Sequence, residues 1–201
     1  MLANRIDPLG QFATTPRRGG FMGNRGRLHS AEGVITRRWQ TRAWITCTLR
    51  EKPGRPGIGV TPPNSYTRLF FLDEAVACAA GHRPCAECRR AHYRAFRAAW
   101  EAAYSPVQSV KEIDAVLHTA RLQGPHQCEA RELPEGAFLL HEGRPHLLTE
   151  DRILPYTSGT YGPPLKRPEG TIQALTTAPM LAAMRAGWQP CLTPENDHPN
   201  W

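Results

Sequence analysis

Hydrophobic and polar positions in the N-terminal half of the chain predict one strand followed by two helices. Residues 39–50, WQTRAWITCTLR, are rich in aromatic and β-branched residues and predict a strand. Asp73 is a good N-cap for the apolar run EAVACAA, and Gly81 is a typical helix stop. A second helix is predicted over 86–104. Its large apolar residues recur at intervals of about one and two helical turns, at Tyr93, Phe96, Trp100 and Tyr104.

The C-terminal half predicts one further long helix, a hairpin, a strand and a short helix. Ser109 and Glu112 have the spacing of a capping box, and the helix they open should end at Gly124-Pro125. The segment AFLLHEGRPHLLTED, residues 137–151, predicts a hairpin that turns at 142–144. TIQALT predicts a strand and APMLAAMRAG a helix. The fold class expected from these elements is α+β.

Changes in composition along the chain suggest three regions. Residues 1–36 have few large apolar side chains and many Gly and Arg, so an irregular arm is expected there. Residues 37–105 contain the predicted strand, the first two helices and the pair Cys85-x-x-Cys88, whose spacing is typical of zinc ligands. They are expected to form a zinc-binding module. Residues 106–201, with the third helix and the hairpin, are expected to pack on that module, ending in a loose tail at CLTPENDHPNW.

Composition narrows the class of protein. Of the 201 residues, 40% are hydrophobic, which excludes a disordered chain. The sequence contains no apolar run near the ~20 residues that cross a bilayer and no hydrophobic segment suited to secretion at its start, so a cytoplasmic protein is expected. The formal charge is +7, almost all of it from arginine. Such a charge favours phosphate-bearing partners, although a GC-rich genome would enrich arginine without any such purpose.

Two of the six cysteines form a Cys-x-x-Cys pair, Cys85 and Cys88, in the stretch AGHRPCAECRR. This spacing lets two thiolates share one metal ion, and the positive end of the following helix favours the thiolate form. Zinc takes four ligands, so two more are required. Cys47, at the end of the predicted strand, is the expected third ligand. The fourth is left open between His92, which lies one turn after Cys88 and is preferred, and four alternatives: His82, Glu51, His118 and water.

Other interpretations of the Cys pair fit the sequence less well. A redox pair should follow a strand in a βαβ unit, whereas a short predicted helix precedes Cys85. A zinc deaminase needs His-x-Glu or Cys-x-Glu upstream, and the candidates His29 with Glu32 and Cys47 with Glu51 have the wrong spacing. Two ordinary buried cysteines remain the alternative to a metal site.

The stretch from Asp73 to Arg90 resembles the C-terminal half of the metal-binding domain of bacterial Ada-type methylated-DNA repair proteins, with His82 where that family has an aromatic residue. The resemblance implies that Cys85 and Cys88 are the second cysteine pair of a zinc site and that Cys47 is the first cysteine of the first pair. Glu51 then occupies the position of that pair's second cysteine. DNA is the partner the family implies.

Arginines near the Cys pair could contact the phosphates of such a partner. Arg90, Arg94 and Arg97 follow one another by about one helical turn and predict a positive stripe, which Arg83 would extend. Trp39 and Trp44 of the first strand could stack on bases, although core packing explains them equally well. The first hypothesis is therefore a zinc-stabilised nucleic-acid-binding protein, for which the resemblance implies a link to DNA repair.

The second hypothesis is a small metal-dependent enzyme. Asp114 and His118 are one helical turn apart, with Arg121 on the same face, and could act as a general base with its orienting carboxylate. The glycine-rich segment GGFMGNRGRLH, residues 19–29, could cradle a phosphate through its backbone amides, with Arg25, Arg27 and His29 beside it. Solvent-exposed polar faces are the simpler explanation for both features.

Overall fold

A computed structural model of the protein describes residues 4–49 and 64–192. Its first half is built on a six-stranded mixed sheet, in which the strand order is β2-β1-β5-β3-β4-β6. The strands are β1 (Arg5–Ile6), β2 (Phe12–Ala13), β3 (Phe21–Asn24), β4 (Ile45–Cys47), β5 (Leu69–Phe71) and β6 (Arg83–Pro84). Helix α1 (Glu74–Ala79) connects β5 to β6, and β4 and β6 run parallel to each other.

The second half is built on a seven-stranded antiparallel sheet with the order β11-β10-β9-β8-β13-β7, and β12 pairs with β10. Two long helices, α2 (Arg90–Ala103) and α3 (Val110–Gln123), precede this sheet, and α4 (Ala178–Arg185) follows its last strand. A 3₁₀ turn lies at Ala130–Glu132. The strands are β7 (His126–Glu129), β8 (Phe138–His141), β9 (Arg144–Thr149), β10 (Arg152–Thr157), β11 (Thr160–Tyr161), β12 (Leu165–Lys166) and β13 (Thr171–Ala174).

Two hydrophobic clusters form the core, and both contain residues from the two halves of the chain. Phe96 and Trp100 of α2 pack with Leu117 of α3 and with residues of α4 and the second sheet. The other cluster joins the first sheet and α1 to Phe138 and Leu147 of the second sheet. The sheets and helices are therefore held together by shared apolar surface, which is the dominant favourable contribution to folding.

Most of the predicted elements are present. The α+β class is confirmed. The N-cap at Asp73 is confirmed, since its carboxylate accepts a hydrogen bond from the Val76 amide at 2.8 Å. The capping box of Ser109 with Glu112 opens α3. The hairpin β8–β9 turns at Glu142 and Gly143, both of which have positive φ. Most of the predicted tail lies outside the described residues.

The N-terminal region differs from the expected irregular arm. Residues 4–36 contain β1, β2 and β3, and their side chains Ile6, Phe21 and Leu28 are fully buried. The strands are only two to four residues long, so period-2 alternation is too brief to be seen in the sequence. The first sheet crosses the predicted boundary at 36, because it contains strands from both sides of that position. The packing of α2 on α4 likewise crosses the predicted boundary at 105. Within the described residues, no helix has both the length and the apolar character needed to cross a membrane.

Candidate metal centre

Parallel pairing of β4 with β6 brings Cys47 next to Cys85. Thr46 is opposite Pro84 in this register, and the Cys85 amide donates a hydrogen bond to the Thr46 carbonyl at 2.9 Å. Both cysteines therefore leave the ends of neighbouring strands in the same direction. Cys88 follows in the turn before α2. The three Sγ atoms all lie within 4.8 Å of one another, and Cys47, Cys85 and Cys88 are called here the cysteine cluster.

The turn that carries Cys85 and Cys88 is fixed by backbone and side-chain bonds. The Arg89 amide donates to the Cys85 carbonyl at 3.1 Å, which closes one helical turn immediately before α2. The Arg89 guanidinium makes a fully buried ion pair with Glu74 of α1, and Nη2 donates to Oε2 at 2.9 Å. Glu74 also accepts a hydrogen bond from the Cys191 amide at 2.8 Å. The cysteine turn is thus anchored to α1 and to the C-terminal segment.

Hydrogen bonding within the cluster selects Cys85 as a thiolate. The thiols of Cys47 and Cys88, in that order, together with the Glu87 and Cys88 amides, lower the pKa of Cys85 although burial opposes the shift. The same contacts, reinforced by burial, raise the pKa of Cys47. Cys85 is therefore the member of the cluster that loses its proton most readily, while Cys47 and Cys88 hold theirs more tightly. A divalent cation satisfies the same three sulfurs by replacing those protons.

The spacing of the sulfurs suits a tetrahedral metal ion. A Zn–S bond of ~2.3 Å places two sulfurs of one tetrahedron about 3.8 Å apart. The cluster, with its sulfurs no more than 4.8 Å apart, needs only small side-chain adjustments to reach that distance. Cys85 is buried, while Cys47 and Cys88 are partly exposed, so an ion can enter from solvent. The cluster could therefore hold a metal ion through three thiolates.

His82 and His118, two of the alternatives for the fourth ligand, make other contacts and are not members of the cysteine cluster. His82 is fully buried and its Nε2 accepts a hydrogen bond from Arg25 Nε at 3.3 Å. His118 packs against Trp39, with ring centroids 4.4 Å apart. His92 is partly buried in the first turn of α2 and is not a member of the cluster. Glu51 lies outside the described residues.

Asp114 and His118 do not form the predicted acid–base pair. Asp114 is buried and accepts hydrogen bonds from Arg83 Nε at 2.7 Å and Nη2 at 2.8 Å, which joins α3 to β6. The Nδ1 atom of His118 lies 3.3 Å from Arg121 Nη1 instead. Burial, followed by the charges of Arg121 and Arg42, lowers the pKa of His118, so its ring is neutral at pH 7. The predicted polar face of α3 is thus part of the protein interior.

The four arginines predicted to contact nucleic acid lie in different environments. Arg90 and Arg94 are exposed on α2. Arg97 makes an ion pair with Glu101, four residues later on the same helix. Arg83 is buried beside Asp114, so it does not extend the exposed row. Two of the four therefore project into solvent close to the cysteine cluster.

The glycine-rich segment 19–29 is part of the first sheet rather than an amide cradle. A Cβ atom at Gly19 would lie 2.5 Å from the Phe71 carbonyl oxygen, and one at Gly23 would lie 2.4 Å from that of Ile45, so these glycines permit close strand packing. His29 Nδ1 lies 2.6 Å from Thr67 Oγ1. Arg27 is exposed, whereas the Arg25 side chain is buried.

Trp44 carries two arginines on its ring, an arrangement that was not predicted from the sequence. The guanidinium carbon of Arg25 lies 4.0 Å from the ring centroid and that of Arg121 4.4 Å from it. Burial, opposed for Arg121 by Asp114, lowers the pKa of each to about 9, so both remain charged at pH 7. The three residues are far apart in the chain, so no local sequence pattern reveals that they are in contact.

Comparisons with known proteins give no family assignment. No protein-family model, no curated protein and no solved structure matches the chain.

Proposed function

We propose that this protein binds one zinc ion through Cys47, Cys85 and Cys88 and that the zinc-stabilised unit binds nucleic acid. The observation that carries the proposal is the convergence of three sulfurs, from β4 and from the turn before α2, within 4.8 Å. Packing alone does not require three cysteine sulfurs to converge on one point. A zinc ion does require it, because zinc binds thiolate ligands in tetrahedral geometry. The ion would supply a rigid link between β4, β6 and α2.

The fourth ligand of the proposed zinc ion comes from His92, from Glu51 or from water. Cobalt(II) in place of zinc distinguishes these, because its visible bands report the ligand set and its thiolate charge-transfer band reports bound cysteines. We expect a thiolate band in the parent protein, and a change in the visible bands for only one of His92→Ala and Glu51→Gln. Unchanged visible bands in both variants would assign water. A cobalt complex without a thiolate band would contradict the proposed cysteine ligands.

Nucleic acid is the proposed partner for two reasons. The chain has a formal charge of +7, and Arg90 and Arg94 are exposed at the start of α2, two and six residues after Cys88. The zinc ion would fix the end of the helix that presents them. The local resemblance to Ada-type metal-binding domains makes duplex DNA the form of nucleic acid proposed, and DNA alkylation repair the process.

Salt-dependent DNA binding tests this partner. We expect the parent protein to bind duplex DNA without sequence preference, because arginines that bind phosphates read no base edges. Arg90→Ala/Arg94→Ala should bind more weakly and lower the slope of log K against log salt by about 2, close to one for each phosphate that is no longer neutralised. The matched control is Arg144→Ala/Arg152→Ala, which removes the same charge from exposed positions on β9 and β10. Equal slopes for the two double variants would contradict the α2 interface.

A further inference from the structure

A cavity of about 170 Å³ lies between the first sheet and the end of α3. Its wall includes three arginines, Arg25, Arg38 and Arg121, and it is called here the arginine cavity. The described residues of this wall include no Asp or Glu. Its other polar side chain is that of Thr177, the residue that precedes α4. The cavity is separate from the cysteine cluster, none of whose members lines it.

Arg25 is the most informative residue of the wall, because it is buried and one of its three guanidinium nitrogens has no hydrogen-bond partner within the described residues. Only 1% of its surface is exposed. Nε donates to His82 and Nη1 donates to the Gly10 carbonyl at 3.2 Å. Nη2 has no hydrogen-bond partner within the described part of the chain. A buried charged donor without a partner costs free energy, because its lost hydration is not replaced. Its presence in a cavity wall therefore indicates a site for a ligand that supplies a hydrogen-bond acceptor.

Thr177 adds a second unfilled position to the same wall. It is 4% exposed, and its Oγ1 has no partner among the residues that the structure describes. The hydroxyl makes no capping bond to α4, the usual use of a threonine at this position. Because Thr177 directly precedes α4, the first amides of that helix and the positive end of its dipole are close to the hydroxyl. Arginine and threonine donors in one cavity point to an oxygen-rich anion as the acceptor.

The charge of the cavity indicates how negative that anion is. Three arginines line it, and the carboxylates whose charges act on them, Asp7 on Arg25 and Asp114 on Arg121, lie outside the wall. His82 is neutral, because burial and the charges of Arg25 and Arg121 lower its pKa well below the usual value. Asp114 is already paired with Arg83, so the cavity keeps an excess of positive charge, which a phosphate monoester dianion neutralises more fully than a carboxylate does.

The mouth of the cavity indicates what the phosphate is attached to. Trp39 and Leu9 line it and remain 39% and 41% exposed, although both are large and apolar. The Trp39 and His118 rings are in contact at a steep interplanar angle of 76°, with their centroids 4.4 Å apart. A partly exposed indole next to a cationic pocket offers a stacking surface for a planar ring.

We propose that the arginine cavity binds a phosphate monoester that carries a planar ring, as a nucleoside monophosphate does. Arg25 Nη2 and Thr177 Oγ1 bind the phosphate oxygens, Arg38 and Arg121 supply charge, and Trp39 stacks on the ring. The site depends neither on zinc nor on the arginines of α2. Its failure would therefore leave the proposed function standing, and the reverse also holds.

Isothermal titration of the full chain tests the site with inorganic phosphate, adenosine 5′-monophosphate and adenosine. We expect the monophosphate to bind more tightly than phosphate, and adenosine to give no measurable binding. Arg38→Ala and Thr177→Val should each weaken monophosphate binding about tenfold, the loss of one charge or one hydrogen bond to a charged group. Arg37→Ala, a neighbouring exposed arginine outside the cavity wall, should bind like the parent.

Two further readouts separate ligand binding from folding and identify the source of the phosphate. Thr177→Val should melt no lower than the parent, because it removes a buried hydroxyl that has no partner within the described residues. A 5′-phosphorylated trinucleotide that binds as well as the monophosphate would show that the cavity takes the end of a strand, and one that does not bind would show that it takes the free nucleotide. No heat with millimolar monophosphate, or equal affinity of Arg38→Ala, Thr177→Val and the parent, would overturn the proposal.

Discussion

At the level of single residues, several charged side chains of this protein lie in its interior. Arg25, Arg83 and Arg89 are each at least 96% buried, and two of them are matched by the carboxylates of Asp114 and Glu74. Removing one partner of such a pair leaves the other charge buried without compensation, which costs far more than the pair contributes. The high arginine content of the sequence therefore does not translate directly into a binding surface.

The ion pair of Arg83 with Asp114 gives a direct stability prediction. Asp114→Asn keeps the shape of the side chain but leaves the Arg83 charge unmatched, so we expect the free energy of unfolding to fall by about 3 kcal/mol. The control is Asp151→Asn, whose 79% exposed carboxylate lies 3.4 Å from Arg152 and whose removal should cost less than about 1 kcal/mol. Urea denaturation measures both. Equal midpoints for the two variants would show that Asp114 is not a structural partner of Arg83.

At the scale of elements, the sequence predicts the helices well because their signals are local. The capping box at Ser109 and the glycine after Gln123 mark both ends of α3, and Asp73 marks the start of α1. The hairpin of β8 and β9 is likewise revealed by two apolar runs on either side of the turn at Glu142 and Gly143. The predicted strand over 39–50 is present only as Ile45–Cys47, and the Trp44 side chain just before it contacts the Arg25 guanidinium.

The strands of residues 1–36 could not be predicted, for a physical reason. Strands β1 and β2 have two residues each and are stabilised by pairing with distant partners, as in the register of Arg5 with Phe70. Such pairing is a tertiary effect that overrides weak local propensity. The same holds for the site. Local spacing reveals Cys85 and Cys88, and the end of the predicted strand suggests Cys47. The surroundings of His82, Asp114 and His118 could not be predicted, because they depend on the packing of α3 against the first sheet.

At the scale of the whole molecule, the cysteine cluster and the arginine cavity lie on different parts of one framework. The cluster joins the end of β4 to the start of α2, whose apolar face enters the larger core. The cavity lies where α3 meets the first sheet. A metal ion at the cluster would therefore stabilise the position of α2 and, through the shared core, both sheets. Structural zinc contributes on the order of 10 kcal/mol in small domains, enough to decide whether such a framework folds.

Zinc content measured on protein purified without chelator tests directly whether the cysteine cluster binds a metal ion. We expect close to one zinc per chain in the parent, and loss of that zinc in Cys85→Ser/Cys88→Ser, because serine removes two of the three thiolates of the cluster. Cys128→Ser is the matched control, since Cys128 is a partly buried cysteine on β7 outside the cluster, and it should keep its zinc. A parent protein without bound metal, or a double variant that retains full zinc, would contradict a zinc site at the cysteine cluster.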